Sequence, residues 1–339
     1  MNVLVTGGAG FIGSHTVVEL VNAGFSPVII DDLSNSSITV LTGLKNILGF
    51  DVPFYQADCN DFSTVESIVK KHDIQGIIHF AAFKAVGESV QKPIKYYKNN
   101  IGSLLNILEV MQATSVQNLV FSSSCTVYGE PDLIPVSEET PKKKTESPYG
   151  NTKAIAEDIL EDVIKSGENM NIISLRYFNP IGAHDSAEIG ELPNGVPSNL
   201  IPFVTQTAIG KRPKLVVFGN DYDTVDGSNV RDFIHVVDLA KAHVAALDLL
   251  KTKNGTFYDV FNIGTGKGNS VLEVIQTFEK VNGLKLNYEI GPRRAGDVEK
   301  IYGNVEKASK ILNWKTEKTL EESLKDAWAW ELKLKNNNN

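Results

Sequence analysis

Asn2-Val3-Leu4-Val5-Thr6-Gly7-Gly8-Ala9-Gly10-Phe11-Ile12-Gly13 decides how the rest of the chain is read. A short apolar strand runs straight into a glycine turn. A helix pattern follows, with Ile12, Val17, Leu20 and Val21 on a mostly apolar face and Asn22-Ala23-Gly24 as its stop. The glycines satisfy both Gly-x-Gly-x-x-Gly and Gly-x-x-Gly-x-x-Gly. Strand, glycine turn and helix N-terminus together aim unpaired backbone N–H groups and a positive helix end at one spot, which suits a pyrophosphate. Asp31 closes the next apolar run, Val28-Ile29-Ile30. It lies about 18 residues beyond Gly13, where a carboxylate accepts from ribose hydroxyls and repels a 2′-phosphate. A lone glycine motif is often only a tight turn, but this full order predicts a dinucleotide site and favours NAD over NADP.

Apolar runs of strand length then alternate with helical patterns through the first half, the mark of a parallel sheet covered on both faces. Phe54 to Ala57, Gly76 to Phe80, Asn118 to Phe121 and Ile172 to Arg176 read as further strands, with helices near 61–71, 99–112 and 149–166. This is the order of an α/β doubly wound parallel (Rossmann) sheet. Its strand ends would carry Asp31, Asp58, Ala81, Ser122 to Ser124 and Tyr177, and ligands bind at such carboxyl ends. From Asn179-Pro180 the alternation fails, broken by Pro193, Pro197, Pro202, Pro213 and clustered glycines. We expect two domains: 1–178 for the dinucleotide, and 179–339, a smaller α/β unit mainly for substrate, with Val260 to Ile263 returning a strand to the first sheet. Asn336 to Asn339 read as a frayed tail.

The 339 residues, 42% hydrophobic and 22% charged, suffice for a large core. A net charge of -8 argues against a nucleic-acid or anionic-membrane surface, so any anionic ligand must meet local cations. Cys59 and Cys125 show no paired or metal-ligand spacing, and a core of this size needs no disulfide staple, so a reducing, cytoplasmic setting is expected. No targeting segment is visible ahead of the first strand, and no apolar run reaches the roughly 18 residues of a membrane span. The six histidines lack metal-ligand spacing, so no metal is expected. Gly264-Thr265-Gly266-Lys267-Gly268 misses the phosphate-loop spacing and reads as a turn, capped by Asn269 or Ser270 before a helix over Val271 to Phe278.

Tyr149-Gly150-Asn151-Thr152-Lys153 puts a phenol and an ammonium four residues apart, on one face of a helix. A cation beside a phenol stabilises phenolate and lowers its pKa, the expectation for a proton-transfer group. With 10 Tyr and 33 Lys plus Arg, roughly one such pair arises by chance, so its neighbours must give it weight. Ser122-Ser123-Ser124-Cys125-Thr126-Val127-Tyr128-Gly129 ends the fifth strand ahead of that helix. A hydroxyl there can bond a substrate alkoxide or the phenol, although serines after a strand also satisfy turn backbone.

Together with Arg-Asp-Phe-Ile-His-Val-x-Asp-Leu-Ala at 231–240, these blocks resemble the extended short-chain dehydrogenase/reductase superfamily, and within it the family that epimerises UDP-hexoses at C4. Ala85-Val86-Gly87-Glu88-Ser89, Phe218-Gly219-Asn220-Asp221-Tyr222 and Arg293-Arg294-Ala295-Gly296-Asp297 extend the resemblance over nearly the whole chain. It implies interconversion of UDP-galactose and UDP-glucose through a 4-keto sugar with tightly held NAD, in galactose metabolism. Ser124, Tyr149 and Lys153 would be the catalytic set. Gly7, Gly10, Phe11, Ile12, Gly13, Asp31, Asn35, Asp58, Cys59, Phe80, Lys84, Asn99, Ser122 and Tyr177 would surround NAD with Tyr149 and Lys153. Lys84, Ser124, Tyr149, Asn179, Asn199, Leu200, Phe218, Arg231, Arg294 and Asp297 would line the UDP-sugar pocket, the arginines holding its pyrophosphate. A homodimer is also implied, formed by the helices bearing Ile101-Leu104-Leu105-Leu108 and Ile155-Ile159-Val163. Ile301 stands where members restricted to unacetylated sugars carry Tyr, which implies some acceptance of N-acetylated sugars. The alternative is a dehydratase or decarboxylase of the same fold. Those dehydratases carry an Asp-Glu pair near the Ser/Thr block, where this chain has Ser124-Cys125.

Overall fold

The computed structural model describes residues 1–294 and 297–337. Ala295, Gly296, Asn338 and Asn339 lie outside the described residues. Seven parallel strands form the main sheet: β1 (Asn2–Thr6), β2 (Ser26–Asp31), β3 (Phe54–Gln56), β4 (Gly76–His79), β5 (Asn118–Ser122), β6 (Asn171–Tyr177) and the strand Phe257–Ile263. The last of these lies at one edge beside β6, followed by β5, β4, β1, β2 and β3. Strand order reverses between β1 and β4, so the carboxyl ends at Thr6 and His79 open the crevice where ligands bind in such sheets.

The strands read as continuous apolar runs because both faces are covered. Val3, Val5, Ile29, Ile78 and Val120 face one way, against Val17 and Leu20 of α1 (Phe11–Asn22) and Leu239 and Leu247 of the helix Val236–Leu250. Leu4, Ile30, Ile77 and Leu119 face the other way. There they meet Val65 and Ile68 of α3 (Phe62–Lys71), which follows α2 (Thr39–Leu48). After α4 (Val86–Gln91), the longer α5 (Pro93–Thr114) adds Leu104 and Ile107, and α6 (Pro148–Lys165) adds Ala156 and Leu160. Each fully buried side chain of this size contributes about 1.5–3 kcal/mol.

α5 starts at Pro93 rather than near 99, because a proline at the first helical position costs no hydrogen bond. Alternation also resumes late in the chain. The helix Val236–Leu250 packs against α1, and the strand Phe257–Ile263 pairs with β6 over its full length, from Phe257 opposite Asn171 to Ile263 opposite Tyr177. Parallel neighbours need such a crossover. The rest of the second half forms a smaller α/β lobe. Helices Leu200–Ala208, Val271–Asn282 and Leu320–Asn337 share a core with the strand Leu215–Phe218, whose parallel partner Tyr288–Gly291 is largely exposed. Asn336 and Asn337, read as tail, belong to the last turn of a helix that docks through Leu324, Ala327 and Trp328. Ser270, not Asn269, caps the helix after the Gly264–Gly268 turn, in a reciprocal capping box with Glu273.

Candidate active site

The glycine turn is shaped by two close approaches. Gly7 has φ +68°, and a Cβ on Gly13 would lie 2.3 Å from the Gly7 carbonyl oxygen, so side chains are excluded where α1 meets the loop. At Gly10 the same test finds only the Gly7 oxygen, at 3.1 Å, and no side chain caps α1. The helix end is thus left to a ligand. Asp31 stands at the tip of β2, one carboxylate oxygen accepting from Ala9 N at 3.0 Å, the other from Leu33 N at 2.9 Å and Ser36 Oγ at 2.7 Å. Burial raises its pKa, and these hydrogen bonds oppose the rise.

Ser147 caps α6 by accepting from Gly150 N at 3.2 Å, and Pro148 takes the first helical position, which places Tyr149 in the first turn. Lys153, one turn on, is buried and donates to the Ser122 carbonyl at 2.6 Å, its ammonium 4.8 Å from the centre of the Phe121 ring. The Ser122 hydroxyl bonds the Tyr177 phenol, and Ser124 Oγ accepts from Thr126 N at 3.2 Å. The expected lowering of the Tyr149 pKa is not what the structure shows. Burial pushes it up, the neighbouring Tyr177 adds to the rise, and the Ser124 hydroxyl opposes it. Burial likewise depresses Lys153 to about 7, with Glu157 acting against the fall. A desolvated lysine turned toward a carbonyl is a weaker source of positive charge than helical spacing alone suggests.

In the second half of the chain, Arg231 donates to the carbonyls of Val230 at 2.8 Å and Glu299 at 3.4 Å. Burial lowers its pKa, and the Asp297 carboxylate is the largest opposing influence. Arg294 makes a two-pronged bond to Asp297, Nε–Oδ2 3.1 Å and Nη2–Oδ1 2.6 Å, 5.4 Å from the centre of the Phe218 ring. Two guanidinium groups thus face one cleft of a chain with net charge -8.

Every residue expected at the site lines a single cavity of about 1340 Å³. Asn35, Asp58 and Cys59 follow β2 and β3, Phe80 and Lys84 follow β4, Asn99 lies on α5, and Asn179, Asn199 and Leu200 come from the second half. One lining residue carried no signal in the sequence. Glu191, in the proline-rich stretch, accepts from Lys84 at 3.1 Å and from Asn199 Nδ2 at 2.6 Å, bridging the two lobes. Among the described residues, no cluster of His, Cys, Asp or Glu suits a metal ion and no helix is long and apolar enough to cross a membrane.

A serine, tyrosine and lysine gathered at the carboxyl ends of a doubly wound sheet, beside a glycine turn and an acid at the tip of β2, define a dehydrogenase/reductase of the short-chain type. The family model described as GDP-mannose 4,6 dehydratase matches residues 4–327. The UDP-glucose 4-epimerase of Pasteurella multocida is 49% identical over 333 residues, covering 98% of each chain. A UDP-glucose 4-epimerase structure from Stenotrophomonas maltophila, with bound NAD and formylated UDP-arabinopyranose, is 45% identical with a TM-score of 0.97 and 99% of each chain covered. One from Bifidobacterium longum, in complex with NAD+ and UDP, is 46% identical with a TM-score of 0.95 and the same coverage. The chain belongs to the UDP-glucose 4-epimerase family of the extended short-chain dehydrogenase/reductase superfamily.

Proposed function

We propose that this protein interconverts UDP-galactose and UDP-glucose by oxidising and re-reducing C4 of the hexose, with NAD as a retained cofactor. The observation that carries the reading is one cavity lined by Ser124, Tyr149 and Lys153 together with Arg231 and Arg294. The residues fit NAD: the open space at Gly10 and the uncapped end of α1 suit its pyrophosphate, and Asp31 suits the adenosine ribose. When bound, NAD supplies hydride acceptance and return, and a positive ring charge that favours phenolate. Tyr149 takes the proton from the 4-hydroxyl as C4 is oxidised and returns it on reduction. Ser124 steadies the same oxygen. Lys153 contributes positive charge and holds the nicotinamide ribose. With the pyrophosphate gripped by Arg231 and Arg294 in the second lobe, the hexose alone turns and offers its other face. Configuration at C4 inverts with no net oxidation, so losing the reduced cofactor would strand the keto sugar.

A dehydratase needs a further acid and base beside the serine turn. The neighbour of Ser124 is Cys125, whose thiol is buried and pushed up to about 12, so it can serve as neither near neutrality. Incubating the holoenzyme with UDP-galactose and separating the products tests the reading. UDP-glucose is expected, and a product lacking water, or no product, would overturn it.

Ile301 is buried on the short strand Lys300–Ile301, packed with Cys125, Val127 and Phe178 and lining the cavity. An aliphatic wall there leaves more depth than a phenol ring. We expect slower but measurable interconversion of UDP-N-acetylglucosamine and UDP-N-acetylgalactosamine. Ile301→Tyr should suppress it selectively by about 1–3 kcal/mol, the worth of one misfitting group. Brisk turnover of UDP-galactose with no N-acetyl activity in the wild type would show that another wall closes the pocket.

Assembly as a homodimer is supported by the paired helices α5 and α6. Leu104, Leu108 and Leu160 turn to the sheet, while Leu105 is exposed and Ile101, Ile155, Ile159 and Val163 are half-buried. That leaves an apolar strip for an isologous contact. Sedimentation at micromolar concentration should give a dimer; a monomer would refute it.

A further inference from the structure

Tyr149, Lys153 and Glu157 recur every four residues on α6, so all three share one helix face. The serine turn answers them in register. Ser124 lies at the phenol, the Ser122 carbonyl accepts from Lys153, and Ser123 Oγ donates to Glu157 Oε1 at 2.6 Å. Glu157 is fully buried and does not line the cavity, so it touches neither substrate nor cofactor. Its carboxylate takes a fork from β6, Arg176 Nε–Oε1 2.9 Å and Nη2–Oε2 2.6 Å. Arg176 is itself backed by Tyr128, at 3.1 Å from the phenol oxygen and 4.9 Å from the ring centre. A buried pair of this kind is a poor source of net stability, because desolvation offsets the attraction. What it does supply is a fixed geometry and a negative charge one turn beyond Lys153.

We infer that Glu157 is a positioning residue of the proton-transfer centre, locking α6 to the serine turn through Ser123 and to β6 through Arg176 and placing a buried carboxylate one helical turn beyond Lys153. Besides Glu157, Lys153 faces the His79 imidazole from β4, and Tyr149 lies one turn before it on the same helix. Burial holds the His79 imidazole neutral down to about 3, so it adds no charge. Glu157 in turn meets Arg176, Lys142 Nζ at 3.7 Å from the segment ahead of α6, and Tyr258 of the strand beside β6. Removing the carboxylate charge therefore leaves Lys153 with no anion to oppose its burial. It then loses its proton at lower pH, and the alkaline limb of turnover moves toward acid.

The test is a pH profile of kcat in NAD-loaded protein, and it rests on the epimerase reading for its assay. Glu157→Gln should lower kcat about tenfold and shift the alkaline limb about one unit toward acid, with KM for the UDP-sugar little changed. Glu157→Asp, which keeps the charge, should leave the limb in place. If Glu157→Gln does not fold around an unpaired Arg176, the double variant Glu157→Gln/Arg176→Met removes both buried charges and should show a smaller limb shift in the same direction, because loss of the cation offsets part of the loss of the anion. Ser123→Ala, which removes no charge, should lower kcat severalfold without moving the limb. A limb that stays in place in the folded variant lacking the carboxylate, or wild-type kcat in Ser123→Ala, overturns the inference. Wild-type protein run alongside separates the two failures, since only the epimerase reading falls if the wild type itself has no turnover.

Discussion

Tyr149→Phe is expected to retain NAD and lose turnover by a factor of about 10² to 10⁴, the usual worth of a positioned acid-base group. The substitution deletes one hydroxyl from a half-buried side chain in the first turn of α6 and leaves its ring in place. Neither the cap at Ser147 nor the bond from Lys153 to Ser122 depends on that hydroxyl. What disappears is the group proposed to carry the O4 proton. Because burial raises the Tyr149 pKa, the free protein holds a neutral phenol through neutral pH, and the charge that makes it a base has to come with the loaded site. Lys153→Ala should differ in kind by also weakening cofactor retention. Turnover of UDP-galactose, measured beside the bound cofactor recovered from denatured protein, distinguishes the two. Near-normal turnover in Tyr149→Phe would remove it from the proton path.

The second large effect is expected at Arg231. Arg294 already gives two donors to Asp297, whereas Arg231 spends one nitrogen on two backbone carbonyls and, among the described residues, leaves its other donors for a ligand. A half-buried guanidinium with spare donors suits a pyrophosphate, and a charged hydrogen bond is worth about 1.5–3 kcal/mol. Arg231→Ala should therefore raise KM for UDP-galactose roughly tenfold to a hundredfold with a smaller change in kcat, and Arg231→Lys should recover only part of the loss. Steady-state kinetics give both quantities. An unchanged KM would move the pyrophosphate elsewhere.

The sheet was legible wherever one local rule sufficed. β1, the glycine turn and Asp31 follow from strand, turn and helix chemistry in consecutive residues, and the strand Phe257–Ile263 carries Phe261 and Ile263 at its buried end. The helix Val236–Leu250 was hidden because it follows the stretch in which prolines and glycines break the alternation, and nothing in the chain ahead of it signals that strand and helix resume. Glu191 was hidden for a different reason. Its partners, Lys84 and Asn199, meet it only through the folded cleft, and an acid among prolines and glycines carries no spacing rule. Glu157 was in reach, since its distance from Tyr149 is two helical turns and could have been counted. The direction of the Tyr149 shift was not, because desolvation depends on what surrounds a group and not on its neighbours in the chain.

The pairing of β6 with the strand Phe257–Ile263 also sets an order in time. During synthesis β6 leaves the ribosome about 80 residues ahead of the strand that completes it, and chain of that length must be delivered before the last row of the sheet can close. All seven residues of β6 are buried in the finished protein, yet until then its outer N–H and C=O groups form an open edge. Tyr177, at the tip of that strand, thus gains its last neighbour in the sheet only after the chain between the two strands, including Arg231, has been made, and the smaller lobe still awaits Val271–Asn282 and Leu320–Asn337.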